Sequence, residues 1–454
     1  MIYTSRNPFT NELYQEFPLH TKEEAIELTH QLVVQFKLWK NRPVSDRVAL
    51  VRQISGKLTS HKQDLAVIMT EEMGKPIQQS IAEIEKCIWL VEHFCDRAEE
   101  LLSAPSNSID GYQAGVRRDP IGIVLGIMPW NYPFWQVFRY AIPSLLVGNG
   151  VLLKHAPNVP RSAKAIETQI REAVGMDVFT NLNIVTEDVP AVIDHFWVRG
   201  VAVTGSVRAG SAVAAVAGEK IIPTVLELGS NDPFIILDDA NIDEAANTFI
   251  DARFTNTGQT CIAAKRLIVQ ESVAEKVRSI VYDRIKQLSI GNPLEGTYDL
   301  SCMARPDLAD HLWEQWSQSA PKAEKIHIEA QQEGAVFQPG FIENPSYDSP
   351  AWKEELFGPV AVMASAKSAE ECLDMANDTV YGLGASVWTG RKTIAEQFIR
   401  NLDYGTVSVN QKVSSDPRLP FGGFKQSGYG RELGDDGFLE FTNTKTFWMP
   451  EGLK

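Results

Sequence analysis

Thr21-Lys-Glu-Glu24 opens a segment in which Ala25, Ile26, Leu32, Val33, Phe36 and Trp39 recur at helical spacing, a capping box leading into an amphipathic helix. The same period predicts helices over 45–58, 65–73 and 81–102, the last with Trp89 and Phe94 on its core face. These helices read as packing, not chemistry. Asp110-Gly111 and Gly115 carry turn chemistry and predict a small hairpin within 108–118. From Ile121 onward the pattern changes. Short β-branched runs at 121–127, 151–154, 201–204, 224–226, 234–237, 266–269 and 406–409 alternate with helical runs, which predicts parallel βαβ units in doubly wound sheets. No repeat or long linker interrupts them, so boundaries are expected at turns such as Gly229-Ser-Asn-Asp-Pro233.

At 454 residues the chain exceeds one ordinary core, so two or three domains are expected. A net charge of −15 argues against a nucleic-acid partner or a basic membrane-binding patch and leaves small molecules as the expected ligands. No apolar run reaches the length of a membrane span and the N-terminus lacks a leader pattern, which points to a cytoplasmic protein. The five cysteines, Cys87, Cys95, Cys261, Cys302 and Cys372, are scattered without a C-x-x-C pair. Neither a disulfide framework nor a metal site is indicated.

Chemistry concentrates in a few segments. Cys261 ends the run Phe254-Thr-Asn-Thr-Gly-Gln-Thr-Cys261, where amides and small polar side chains can favour a thiolate and hold an oxyanion. An isolated cysteine is more often an inert small hydrophobe. Upstream, Thr224-Val-Leu-Glu227-Leu-Gly229 offers a carboxylate that could activate water. Val203-Thr204-Gly205-Ser206 ends a predicted strand and opens a helix, which aims free amides at an anion such as a pyrophosphate, although an ordinary capped helix has the same signature. No G-x-G-x-x-G fingerprint occurs. Met128-Pro-Trp130-Asn131-Tyr-Pro133 sets an amide in a rigid turn, Lys154 ends a strand where α/β sheets bind ligands, and Glu355-Leu-Phe357-Gly-Pro359 presents a carboxylate suited to vicinal hydroxyls.

In this order, with Asn377-Asp378, Tyr381-Gly-Leu383, Pro420-Phe-Gly-Gly-Phe-Lys425 and Ser427-Gly-Tyr-Gly-Arg-Glu-Leu433, these segments resemble the NAD(P)-dependent aldehyde dehydrogenase family over most of the chain. The resemblance implies an α/β fold with a Rossmann-type cofactor domain (1–105 and 120–229), a catalytic domain (230–427) and a small β oligomerisation flap (106–119 and 428–454). It implies Cys261 as nucleophile, Asn131 with the Cys261 amide as oxyanion donors, and Glu227 as the base for thioester hydrolysis. Lys154 and Glu355 would hold the riboses of NAD or NADP, Thr204, Gly205 and Ser206 would face the pyrophosphate, and Trp130 and Phe357 would wall the nicotinamide. A homodimer or homotetramer is implied, with a small aldehyde as substrate.

Lys154-His-Ala-Pro-Asn-Val-Pro160, Val203 to Gly210, and Ser415-Asp-Pro-Arg-Leu-Pro-Phe-Gly-Gly423 are most similar to the bacterial succinate-semialdehyde dehydrogenase branch. That substrate carries a carboxylate, for which Arg139 and Ser415 are the candidate partners. Several positions depart from the pattern. Thr255 stands where some members have an arginine, Pro157 replaces the acidic residue common in NAD-preferring members, Ala263 replaces a second cysteine, and Ser230 replaces a glycine. The alternatives are a broad aliphatic or amino-aldehyde oxidiser, a CoA-acylating relative, and a retired enzyme kept for its structure.

Overall fold

The computed structural model describes residues 2–453, and two parallel sheets dominate it. The first has the order Gly428–Tyr429, Thr224–Glu227, Val198–Thr204, Ile123–Met128, Gly150–His155 and Phe179–Asn181. Its strands are parallel except Gly428–Tyr429, which pairs antiparallel with Thr224–Glu227. The second has the order Ala323–Ile328, Gly340–Pro345, Val360–Ala366, Arg266–Gln270, Pro233–Ile236, Gly384–Trp388 and Thr406–Val409, parallel except at the Ala323–Ile328 edge. Helices cover both sheets, as parallel strands buried on both faces require. The predicted strands at 224–226 and 406–409 fall within Thr224–Glu227 and Thr406–Val409. Val360–Ala366 and Gly384–Trp388 were not anticipated, because Ala, Ser and Gly weaken their β signature.

The capping box is as expected: Thr21 Oγ1 accepts from Glu24 N at 3.1 Å and Glu24 Oε2 accepts from Thr21 N at 2.7 Å, starting helix Lys22–Trp39. The two helices expected at 45–58 and 65–73 are one, Val44–Met73. Residues 59–64 are polar and lack Pro or Gly, so the apolar stripe lapses while nothing breaks the helix. It stops at Gly74, which adopts a left-handed φ of 73°. Helix Ile77–Leu101 begins four residues before the expected start and lies against it.

Ser106–Ile109, Tyr112–Pro120 and Thr442–Pro450 make a separate three-stranded antiparallel sheet. It takes only the end of the segment 428–454. Gly428–Tyr429 joins the first large sheet, and helix Gly434–Leu439 packs on helix Pro133–Val147.

The two large sheets meet through Leu228–Asp232, and every residue of that crossing is buried. A turn between domains was expected there. The crossing is extended and buried, and several of its polar groups are paired internally: Ser230 Oγ donates to Asp232, Asp232 Oδ1 accepts from Gly384 N at 3.0 Å, and Asn231 Nδ2 donates to Trp352 O at 2.7 Å, while Asn231 Oδ1 and Asp232 Oδ2 have no partner among the described residues. Burial pushes the Asp232 carboxyl up to about 7. Ser230 has no positive φ, so its replacement of a glycine carries no backbone strain.

Candidate active site

Three consecutive left-handed residues, Asn256 (φ 56°), Thr257 (φ 54°) and Gly258 (φ 75°), turn the chain into Cys261. Such a run is costly unless its surroundings over-determine it. Here the carbonyls around it are gathered by Arg253, fully buried, which donates to Val360 O at 2.7 Å, Leu356 O at 2.8 Å and Gly358 O. A Cβ on Gly258 would lie 2.4 Å from Gly358 O, so no larger residue fits. Thr257 Oγ1 accepts from Ser301 N at 3.1 Å and Gln259 Oε1 from Ala304 N at 2.9 Å, tying the loop to its other side.

Opposite it, the turn carrying Asn131 is pinned twice. Glu83 caps helix Pro133–Val147 by accepting from Phe134 N at 2.8 Å and Trp135 N at 2.9 Å, while its carboxylate pairs with fully buried Lys75. His155 Nδ1 accepts from Ala156 N, which leaves Nε2 protonated to donate to Pro133 O at 3.0 Å. Burial lowers that imidazole to about 4, so it stays neutral. Asn131 Nδ2 donates to Gln259 O at 3.1 Å, which spends one of its two hydrogens. The Cys261 backbone N–H makes no hydrogen bond among the described residues. One Asn131 hydrogen and one backbone N–H are therefore free beside the thiol.

The thiol itself departs from the expected thiolate. Burial pushes Cys261 up to about 11, against the pull of Lys265 and Arg139. Cys261 lines two spaces. One is a cleft of about 440 Å³ bordered by Trp130, Asn131, Thr204, Gly205, Ser206, Glu227, Glu355 and Phe357. The other is a cavity of about 260 Å³ on the far side, bordered by Lys86, Trp135, Arg139, Ser415 and Phe421.

Glu227 ends strand Thr224–Glu227 and is buried, and neither carboxylate oxygen has a hydrogen-bond partner. Desolvation, then the Glu432 carboxylate, raises its pKa well above the usual range, while Arg139 and Arg431 oppose them. An unpaired buried polar group costs about 1–3 kcal/mol when neutral and far more as an ion, and is retained where it acts.

The cleft suits an extended anionic cofactor. Ser206 caps helix Val207–Glu219 by accepting from Ala209 N at 3.2 Å, and a Cβ at Gly205 would meet open space. Gly229 is closely approached, since a Cβ there would lie 2.6 Å from Glu355 Oε2. Glu355 pairs with Lys265 at 2.9 Å, and Lys265 also donates to Cys261 O. Trp130 and Phe357 meet edge to face at 5.8 Å on the cleft wall. Lys154 does not border this cleft. It lies beside Ile127 in the sheet, mostly buried and without a hydrogen bond or ion pair among the described residues.

The two expected carboxylate partners both border the far cavity, and both are engaged. Arg139 pairs with Glu432 at 2.6 Å and donates to Gln136 Oε1 at 2.6 Å, and Ser415 Oγ accepts from Lys86 at 2.8 Å. Lys86, Lys265 and Glu432 had no assigned role in the sequence. Only Glu432 lay within a noted motif. For Lys86 a signal existed: Gln79, Ala82, Glu83 and Lys86 fall at i, i+3, i+4 and i+7 and all border the cavity, a partly polar stripe on a helix read as packing. Among the described residues no cluster of His, Cys, Asp or Glu could hold a metal ion, and no helix is long and apolar enough to cross a membrane.

Residues 2–447 match the aldehyde dehydrogenase family. The chain is 38% identical to a probable NADP-dependent succinate-semialdehyde dehydrogenase of Synechocystis, over 99% of this chain and 100% of the relative. It is 37% identical to the NAD(P)-dependent succinate semialdehyde dehydrogenase Sad of Escherichia coli, over 98% and 97%. A crystal structure of succinic semialdehyde dehydrogenase from Streptococcus pyogenes with NADP superimposes with a TM-score of 0.95 at 32% identity, covering 99% of this chain and 100% of that one.

Proposed function

This chain belongs to the aldehyde dehydrogenase family, and from that premise we propose that it oxidises succinate semialdehyde to the dicarboxylate with NADP or NAD. The observation that carries the mechanism is Glu227, buried with both oxygens unpartnered in the cleft that Cys261 also borders.

Cys261 Sγ attacks the aldehyde carbon, and the thiol proton passes to solvent water as the C–S bond forms. The alkoxide oxygen accepts hydrogen bonds from the free N–H of Asn131 Nδ2 and the unused Cys261 backbone N–H, donors already fixed in place. A bound nicotinamide ring supplies the hydride acceptor that converts the thiohemiacetal to a thioester. Thr204, Gly205 and Ser206 would hold the pyrophosphate, Glu355 a ribose, and Trp130 and Phe357 would wall the ring face, while Lys154, expected at the other ribose, lies outside the cleft lining. Glu227 then takes a proton from water as that water attacks the thioester carbon; the C–S bond breaks and the sulfur leaves as the thiol. Pro157 offers no carboxylate to repel a 2′-phosphate, in keeping with NADP use by the relatives.

The three-stranded sheet exposes Ile109, Tyr112, Val116 and Trp448 on one face, an apolar patch that supports association of copies into a dimer or tetramer. Five free thiols suit a cytoplasmic location. The test is the initial rate of reduced-nicotinamide formation from succinate semialdehyde beside butanal, with NADP and NAD in turn. A marked preference for the semialdehyde is expected. Equal rates would remove the substrate and leave a broad aldehyde oxidiser.

A further inference from the structure

A four-carbon semialdehyde held with its aldehyde at Cys261 would find room for its carboxylate in the 260 Å³ cavity that Cys261 also borders. Losing water there is costly for an anion unless a cation replaces it. Three cations border the cavity. Arg139 is neutralised by Glu432 at 2.6 Å, both side chains being buried. Lys412 is solvent-exposed, where water screens its charge. Lys86 differs from both. It is half-buried, and among the described residues no carboxylate lies within 4 Å of its amine and its one hydrogen bond runs to Ser415 Oγ at 2.8 Å. Its ammonium also sits 4.3 Å from the centre of the Trp135 ring, which fixes it over an apolar wall.

We infer that Lys86 is the residue that selects substrates bearing a carboxylate, with Ser415 orienting its amine and Arg139 serving the Glu432 pair instead. This rests on the substrate reading above. An ammonium has three donors and Ser415 occupies one, so two remain for a carboxylate. Burial lowers Lys86 to about 8, with the neighbouring Arg139 adding to the effect. A bound carboxylate would relieve that cost by restoring a counter-charge.

The test compares K86M and K86R with the parent enzyme, using succinate semialdehyde and butanal under saturating NADP. The readout is the ratio of kcat/KM for the two aldehydes. K86M is expected to lower that ratio about 10- to 100-fold, mainly through KM for the semialdehyde, as loss of one charged hydrogen bond would. K86R, which keeps the charge, should recover most of it. If both aldehydes fall equally with K86M, Lys86 is structural and the inference is overturned. If the semialdehyde preference survives K86M, the inference fails while the substrate stands. If the parent enzyme shows no preference, both fail.

Discussion

Cys261 stands between two spaces built in different ways. The cleft on one side is made from strand ends and the turns that follow them: Asn131 after Ile123–Met128, Thr204 to Ser206 after Val198–Thr204, and Glu227 at the end of Thr224–Glu227. The cavity on the other side is made from helix faces. Glu83 and Lys86 come from Ile77–Leu101, Trp135 and Arg139 from Pro133–Val147, with Val413 and Ser415 from a late loop. Strand ends place backbone amides and carboxylates in contiguous motifs, so the reaction is recorded in short segments. Helix faces place side chains three or four positions apart and from distant elements, so the selectivity proposed for this cavity would be recorded in a scattered pattern.

The largest test of that division strikes the atom both sides share. Cys261→Ala should lower oxidation of every aldehyde by about 10⁴-fold or more while NADP still binds, as followed by ligand quenching of tryptophan fluorescence. Persistent turnover would move the nucleophile elsewhere. Glu227→Gln acts on the cleft side alone. It should give one burst of reduced cofactor per site and then steady turnover lowered by about 10²- to 10⁴-fold, for charged and uncharged aldehydes alike. A burst confined to one aldehyde would break the separation.

Gly258→Ala probes the backbone beneath both. With a left-handed φ and a Cβ forced to 2.4 Å from Gly358 O, it should cost about 1–3 kcal/mol and lower the melting temperature. An unshifted melting curve would show that the loop is not over-determined. The smallest effect belongs to the cavity. Lys86, set to about 8, faces Arg139, which disfavours its charge, and Asp416, Glu83 and Cys87, which favour it. An anionic substrate needs the protonated amine, so affinity is retained below that pH and lost above it. KM for the semialdehyde should be level below about pH 8 and climb roughly tenfold per unit above it, while KM for butanal stays level.

The sequence made the two sides unequally legible. Glu227, Asn131, Ser206 and Cys261 sat in segments whose residue types announce their chemistry, and the structure brings all four to one cleft. The single helix Val44–Met73 was missed because the pattern tracks burial, and a solvent-facing helical turn has none to track. The thiol's raised pKa escaped because polar neighbours in sequence say nothing of how deeply a residue lies. Lys86 escaped because an amphipathic helix carries many lysines and only the fold shows which one faces a cavity. Ser230 and Asp232 looked like a turn because Gly, Ser, Asn and Asp compose turns, yet their hydrogen bonds are made inside the protein.

A cysteine held near 11 is also protected at rest. Peroxide attacks thiolate, and a thiol whose pKa is raised by desolvation supplies less of it at neutral pH than an ordinary cysteine. Oxidation of Cys261 is expected to be slower in the resting enzyme than during turnover, when the sulfur is driven to act as a nucleophile. Durability in storage and vulnerability in use would then have one origin, the partly desolvated seat of the sulfur between two open spaces.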